Sequence, residues 1–179
     1  MLLGAVLALV PCVLLAVALQ PRLGWVTAVC IAGFLWSLVV IGLVTLIPPY
    51  GAPGIVAAES RLPECSRDIG GPAPEGFWIF TSGQRALNTA LFVPSGVLLV
   101  VAAVRWRAWA LLTVPAGLAI LAAYSGAIEW VQFVVARIDR ACDLTDVVDN
   151  VSGAIIGVVI GFGLALVLRP WRYEPAPPH

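Results

Sequence analysis

The stretch EWVQFVVARIDRACDLTDVVDNVSG, residues 129–153, decides the fold, because it sets a dense group of charges between two runs that otherwise read as membrane spans. Five of the chain's ten acidic residues fall in it: Glu129, Asp139, Asp143, Asp146 and Asp149. Arg137 and Arg140 lie among them. Ionisable groups at or near hydrocarbon are costly, so by default they mark a functional site.

The surrounding composition establishes the setting. Of 179 residues, 61% are hydrophobic and 11% charged, and the mean hydropathy is +1.00. Soluble domains carry about 25% charged residues, so the chain reads as an integral membrane protein. All ten basic residues are arginine, and the formal net charge is zero. That balance suggests no nucleic-acid partner.

A spanning helix needs roughly 20 apolar residues. Five stretches qualify: Leu2–Leu19, Trp25–Ile47, Ala86–Val104, Ala108–Ala136 and Val151–Leu168. They are continuously apolar rather than alternating, which argues against a strand barrel. The expected fold is all-α: a polytopic transmembrane bundle of about five spans with one long extracytoplasmic loop. Its parts would be two helices in 1–47, the loop in 48–85, a three-helix core in 86–169 and a disordered cytoplasmic tail in 170–179.

If all five insert, Arg22, Arg105, Arg107, Arg169 and Arg172 share one side in short connections or the tail. The other side holds an equal five, Arg61, Arg67, Arg85, Arg137 and Arg140. Most of them lie in a long, acid-balanced loop that the positive-inside rule weights lightly, so the side with the short connections reads as cytoplasmic. The expected topology is a multi-pass protein with its N-terminus outside and C-terminus inside. Cys65 and Cys142 then share the outer face, where an oxidising compartment permits a disulfide; two free thiols are the alternative. Cys12 and Cys30 read as small apolar packing groups. Ala16-Val17-Ala18 resembles a signal cleavage site, but no basic residue precedes the apolar run.

The long connection opens on Pro48-Pro49 and holds Phe77-Trp78-Ile79-Phe80, read as an interfacial aromatic anchor or a lip over the charged site. The only histidine, His179, ends the sequence, which leaves no His-based metal or triad site.

Glu129 and Gln132 are three apart and share a helix face, expected to point inward. Asp143, Asp146 and Asn150 line one stripe if that segment is helical. Gly153, Gly157 and Gly161 continue it as small-residue steps that admit a neighbouring helix. Arg140 is expected to form bidentate bonds to the carboxylates. The constellation suits a divalent cation on Glu129, Asp143 and Asp146, a phosphate or carboxylate near the helix start, or an internal salt-bridge network. Asn88, inside the third span, is either an interhelical hydrogen-bonding group or part of the same site.

The run Glu129-x-x-Gln132, Arg140-x-x-Asp143-Leu144-x-Asp146-Val147-x-x-Asn150-x-x-Gly153-x-x-x-Gly157 resembles the signature of the VanZ-like membrane proteins. Asn88-x-x-x-Phe92-x-Pro94-x-Gly96 is similar to that family's preceding motif. Arg137 and Arg140 compete for its arginine position. The resemblance implies a helical bundle in a bacterial inner membrane. The family takes its name from a protein associated with reduced susceptibility to the glycopeptide teicoplanin, which points to cell-envelope function.

The expected function is non-enzymatic binding of an amphiphile, a lipid-linked cell-wall precursor or lipoglycopeptide. Its binding residues would be Asn88, Glu129, Gln132, Arg137, Arg140, Asp143, Asp146 and Asn150. The expected partners are membrane lipid and that ligand, with no cofactor beyond a possible divalent cation. A lipid flippase or transporter, and a metal-dependent lipid phosphohydrolase, are the alternatives. No nucleophile elbow or nucleotide loop supports the enzyme reading.

Overall fold

Gly24 determines how the chain begins. The computed structural model describes residues 1–47, 83–135 and 143–173. Its first helix, α1 (Leu2–Leu46), is interrupted at Gly24, where φ is +79° and ψ is 159°. A residue with a Cβ rarely adopts that backbone, which glycine takes freely. The interruption turns the helix back on itself. Trp36 Nε1 donates to the Ala5 carbonyl at 2.9 Å, and the Leu43 side chain lies against Gly4. Residues 2–23 and 25–46 are therefore antiparallel arms.

Three further helices follow: α2 (Gly83–Ala103), α3 (Arg107–Val135) and α4 (Leu144–Leu168). A 3-10 turn at Val104–Trp106 joins α2 to α3, and another at Pro170–Arg172 follows α4. The described residues carry no strand. Three helical stretches are long and apolar enough to cross a membrane: Leu2–Leu46, Arg85–Val134 and Leu144–Arg172. Large apolar side chains such as Leu2, Leu111 and Val167 face outward, as lipid-facing groups do.

The helix bounds differ from the sequence reading in two informative places. Arg85, assigned there to the loop, lies in the opening turn of α2. The last helix begins at Leu144 rather than Val151, so Asp146, Asp149 and Asn150 are all helical. Its N-cap, Asp143, compensates the start: Oδ1 accepts from the Thr145 N–H at 2.8 Å. Asp143 itself is extended and stands just outside the expected helical stripe. The expected features of 48–82, including Cys65 and the aromatic Phe77–Phe80 run, lie outside the described residues. So do Arg137, Arg140, Cys142 and the tail 174–179.

The tightest packing joins α2 to α4. A Cβ on Gly153 would collide with the Thr89 carbonyl, one on Gly157 with the Val93 carbonyl, and one on Gly96 with the Ala154 carbonyl. Lipid tails are as apolar as leucine, so close van der Waals contact and hydrogen bonds hold helices together in a membrane. Around this crossing, Phe92, Ile41, Leu121, Ile128 and Ala154 form one core layer. Val100, Val101, Val114, Val158 and Cys30 belong to a second, toward the 3-10 turns. The hydroxyls of Ser37 and Ser95 meet at 2.9 Å and tie α1 to α2.

Candidate functional site

The end of α1, the start of α2, the end of α3 and the start of α4 share one end of the bundle. All four acidic residues of the described segments, Glu129, Asp143, Asp146 and Asp149, are there. Their surroundings divide them into distinct roles.

Asp149 is fully buried, and Arg85 meets it in a fork. Arg85 Nε donates to Oδ2 at 2.9 Å and Nη2 donates to Oδ1 at 2.8 Å. Such a two-point bond satisfies a carboxylate that hydrocarbon would otherwise penalise heavily. Sequence reasoning left both residues out of the site. Asp149 was visible as a charge in a helical register, but no local pattern links it to an arginine 64 positions earlier.

Glu129 and Asp143 meet at the start of α4. The Asp143 N–H donates to Glu129 Oε2 at 3.2 Å, while Asp143 caps Thr145. A helix start leaves N–H groups without intrahelical partners, and these carboxylates serve two such donors. Asp146 sits in the first turn, where a negative charge complements the helix dipole. Among the described residues, no three of His, Cys, Asp and Glu gather closely enough to hold a metal ion.

The amides lie deeper. Gln132 Nε2 donates to the Thr45 carbonyl at 3.0 Å, one of the last carbonyls of α1 and so without a helical partner. Asn150 Nδ2 donates to Ser125 Oγ at 2.9 Å. Ser125, Glu129 and Gln132 form an i, i+4, i+7 stripe on α3, and all three are buried. Ser125 was the member of that stripe that the sequence reading passed over. Asn88 is buried on α2, one turn beyond Arg85.

Four buried polar atoms at this end have no hydrogen-bond partner among the described residues: Asn88 Nδ2, Thr89 Oγ1, Gln132 Oε1 and Asn150 Oδ1. Buried polar groups are nearly always paired. Spare donors and acceptors at the end of the bundle that holds the Arg85–Asp149 pair are chemically equipped to receive polar groups. Of the expected site residues, the fold thus brings Asn88, Glu129, Gln132, Asp143, Asp146 and Asn150 to one end of the bundle.

The VanZ/LLP1 family model matches residues 64–167, more than half of the chain. The chain belongs to the VanZ-like family. The match takes in α2, α3 and nearly all of α4, so the Arg85–Asp149 fork and the glycine crossing lie inside the VanZ-like region. No curated protein and no solved structure matches the chain.

Proposed function

We propose that this VanZ-like chain is a binding protein of the bacterial cell envelope. It crosses the inner membrane five times, with the two arms of α1 counting as separate crossings. The carboxylate-bearing end faces outward. Arg22, Arg105, Arg107, Arg169 and Arg172 at the other end, with no acidic residue among the described ones there, support that orientation. Its ligand is the polar part of an amphiphile, of the lipid-linked cell-wall precursor or lipoglycopeptide type.

The observation that carries this reading is the group of spare donors and acceptors at Asn88, Thr89, Gln132 and Asn150. A purely structural network would be expected to satisfy its buried groups, as Arg85 satisfies both oxygens of Asp149. Lipid is the natural source of a ligand at this depth, and its polar head offers both donors and acceptors.

The test uses the purified protein in nanodiscs with fluorescent undecaprenyl pyrophosphate, and undecaprenol as the neutral control. Asn88→Leu removes an amide whose nitrogen bonds to nothing in the described fold, so the melting temperature should hold. Binding of the pyrophosphate should fall at least about tenfold, the loss expected for one good hydrogen-bonding group. Unchanged binding in a stable Asn88→Leu protein would remove Asn88 and its neighbours from the site.

A further inference from the structure

The opposite end of the bundle carries a different chemistry. An apolar groove of about 220 Å³ opens there between the second arm of α1, the end of α2 and the start of α3. Ile31, Phe34, Leu99, Ala103, Trp106 and Thr113 line it. We infer that this groove seats an acyl chain of an anionic phospholipid, whose phosphate is held by Arg105 and Arg107.

Trp106 links the two halves of that site. It lines the groove, is 44% exposed, and stands in the 3-10 turn directly between the two arginines. Arg105 lies over the Tyr173 ring, 5.7 Å from its centroid, and Arg107 over the Trp171 ring at 5.8 Å. Stacking occupies a guanidinium's face and leaves its edge donors for other partners. Arg105 Nε is buried and has no hydrogen-bond partner among the described residues. Its location suits an oxygen ligand that arrives with the lipid.

The C-terminal turn that carries Trp171 and Tyr173 is itself anchored. Tyr173 Oη donates to the Pro21 carbonyl at 3.1 Å, which fastens the C-terminal turn to the fold-back of α1. Arg22, Arg169 and Arg172 add positive charge at the same end, and no acidic residue of the described segments offsets it. Phosphate is the membrane anion that a guanidinium edge fits by two-point bonding. A zwitterionic lipid would fill the groove equally well, yet its head would bring a second positive charge to this surface. The charge selects the head group, and the groove selects a lipid over free phosphate.

The test is native mass spectrometry of the full chain with equimolar phosphatidylglycerol and phosphatidylcholine of identical acyl chains. Wild-type adducts should favour phosphatidylglycerol by about tenfold. Arg105→Gln combined with Arg107→Gln should bring the ratio near one. Thr113→Phe, an exposed position that fills the groove, should reduce retention of both lipids with the arginines intact. A measurement on folded protein alone complements these variants: phosphatidylglycerol brominated along its chain should quench wild-type fluorescence more than that of Trp106→Phe. Equal retention of the two lipids by the wild type would overturn the proposal. Full retention by Thr113→Phe would also overturn it, since charge alone would then be drawing the lipid.

Discussion

Arg85 grips the fully buried carboxylate of Asp149 through two hydrogen bonds, of 2.9 and 2.8 Å, across 64 positions of sequence. The pair ties the start of α2 to α4 above their glycine crossing. Removing Arg85 strands the fully buried Asp149 carboxylate, which typically costs about 3–5 kcal/mol. Arg85→Met should lower the unfolding free energy by about that amount, and Asp149→Leu by less, because Asp143 and Asp146 also act on the Arg85 charge. The double variant should recover most of the loss, since well-packed apolar replacements of a buried pair are often neutral. Unfolding in detergent by denaturant measures all three; simple additivity of the single losses would contradict the coupling.

At the α4 start, Asp143 acts first as a cap. Asp143→Ala should destabilise by about 1 kcal/mol, and Asp143→Ser should retain most of the stability, because the hydroxyl also accepts from the helix N–H groups. If Asp143→Ser unfolds as readily as Asp143→Ala, the carboxylate charge matters more than the capping bond.

The glycine crossing separates two glycines of one helix. Gly157 meets the Val93 carbonyl, whereas a Cβ on Gly163 meets nothing within 4 Å. Gly157→Ala should cost about 1–3 kcal/mol through forced separation of α2 and α4. Gly163→Ala should be neutral or stabilise by up to about 1 kcal/mol, from the better helix propensity of alanine. Paired thermal scans of the two variants decide this.

Gly24→Ala carries two burdens: a φ of +79° and a collision with the Tyr173 ring. Adding Tyr173→Ala should relieve only the collision, so the double variant should regain part of the lost melting temperature and no more. Complete recovery would mean that the backbone conformation at Gly24 costs nothing.

Much of the helical plan was legible because continuous apolar runs leave few other possibilities, and the short connection holding Arg22 separated the two arms of α1. The start of α4 was legible only in part: the spacing of Asp143, Asp146 and Asn150 fitted a helical stripe but did not fix where the helix begins. Asp146, Asp149 and Asn150 look like loop residues by hydropathy, and only the capping geometry of Asp143 explains a helix that begins on charges. Glu129 and Gln132 could be placed on one face from their spacing. Ser125 extends that face by one turn, but serine in an apolar helix gives little signal until Asn150 is seen donating to it. Arg85 was obscured by its position beside a long polar connection, and its pairing is set by tertiary packing alone. The family resemblance, by contrast, was readable from the register of Asn150, Gly153 and Gly157.

The backbone-to-backbone contact of α2 with α4 has a mechanical corollary. Carbonyls of one helix rest on the α-carbons of the other, so neither can slide or rotate without steric overlap, and the fork at Arg85 locks their relative register. The two helices behave as a stator. Any breathing that admits a guest must come from α1 and α3, which touch their neighbours through pliable side chains and single hydrogen bonds such as that from Tyr124 to the Leu38 carbonyl.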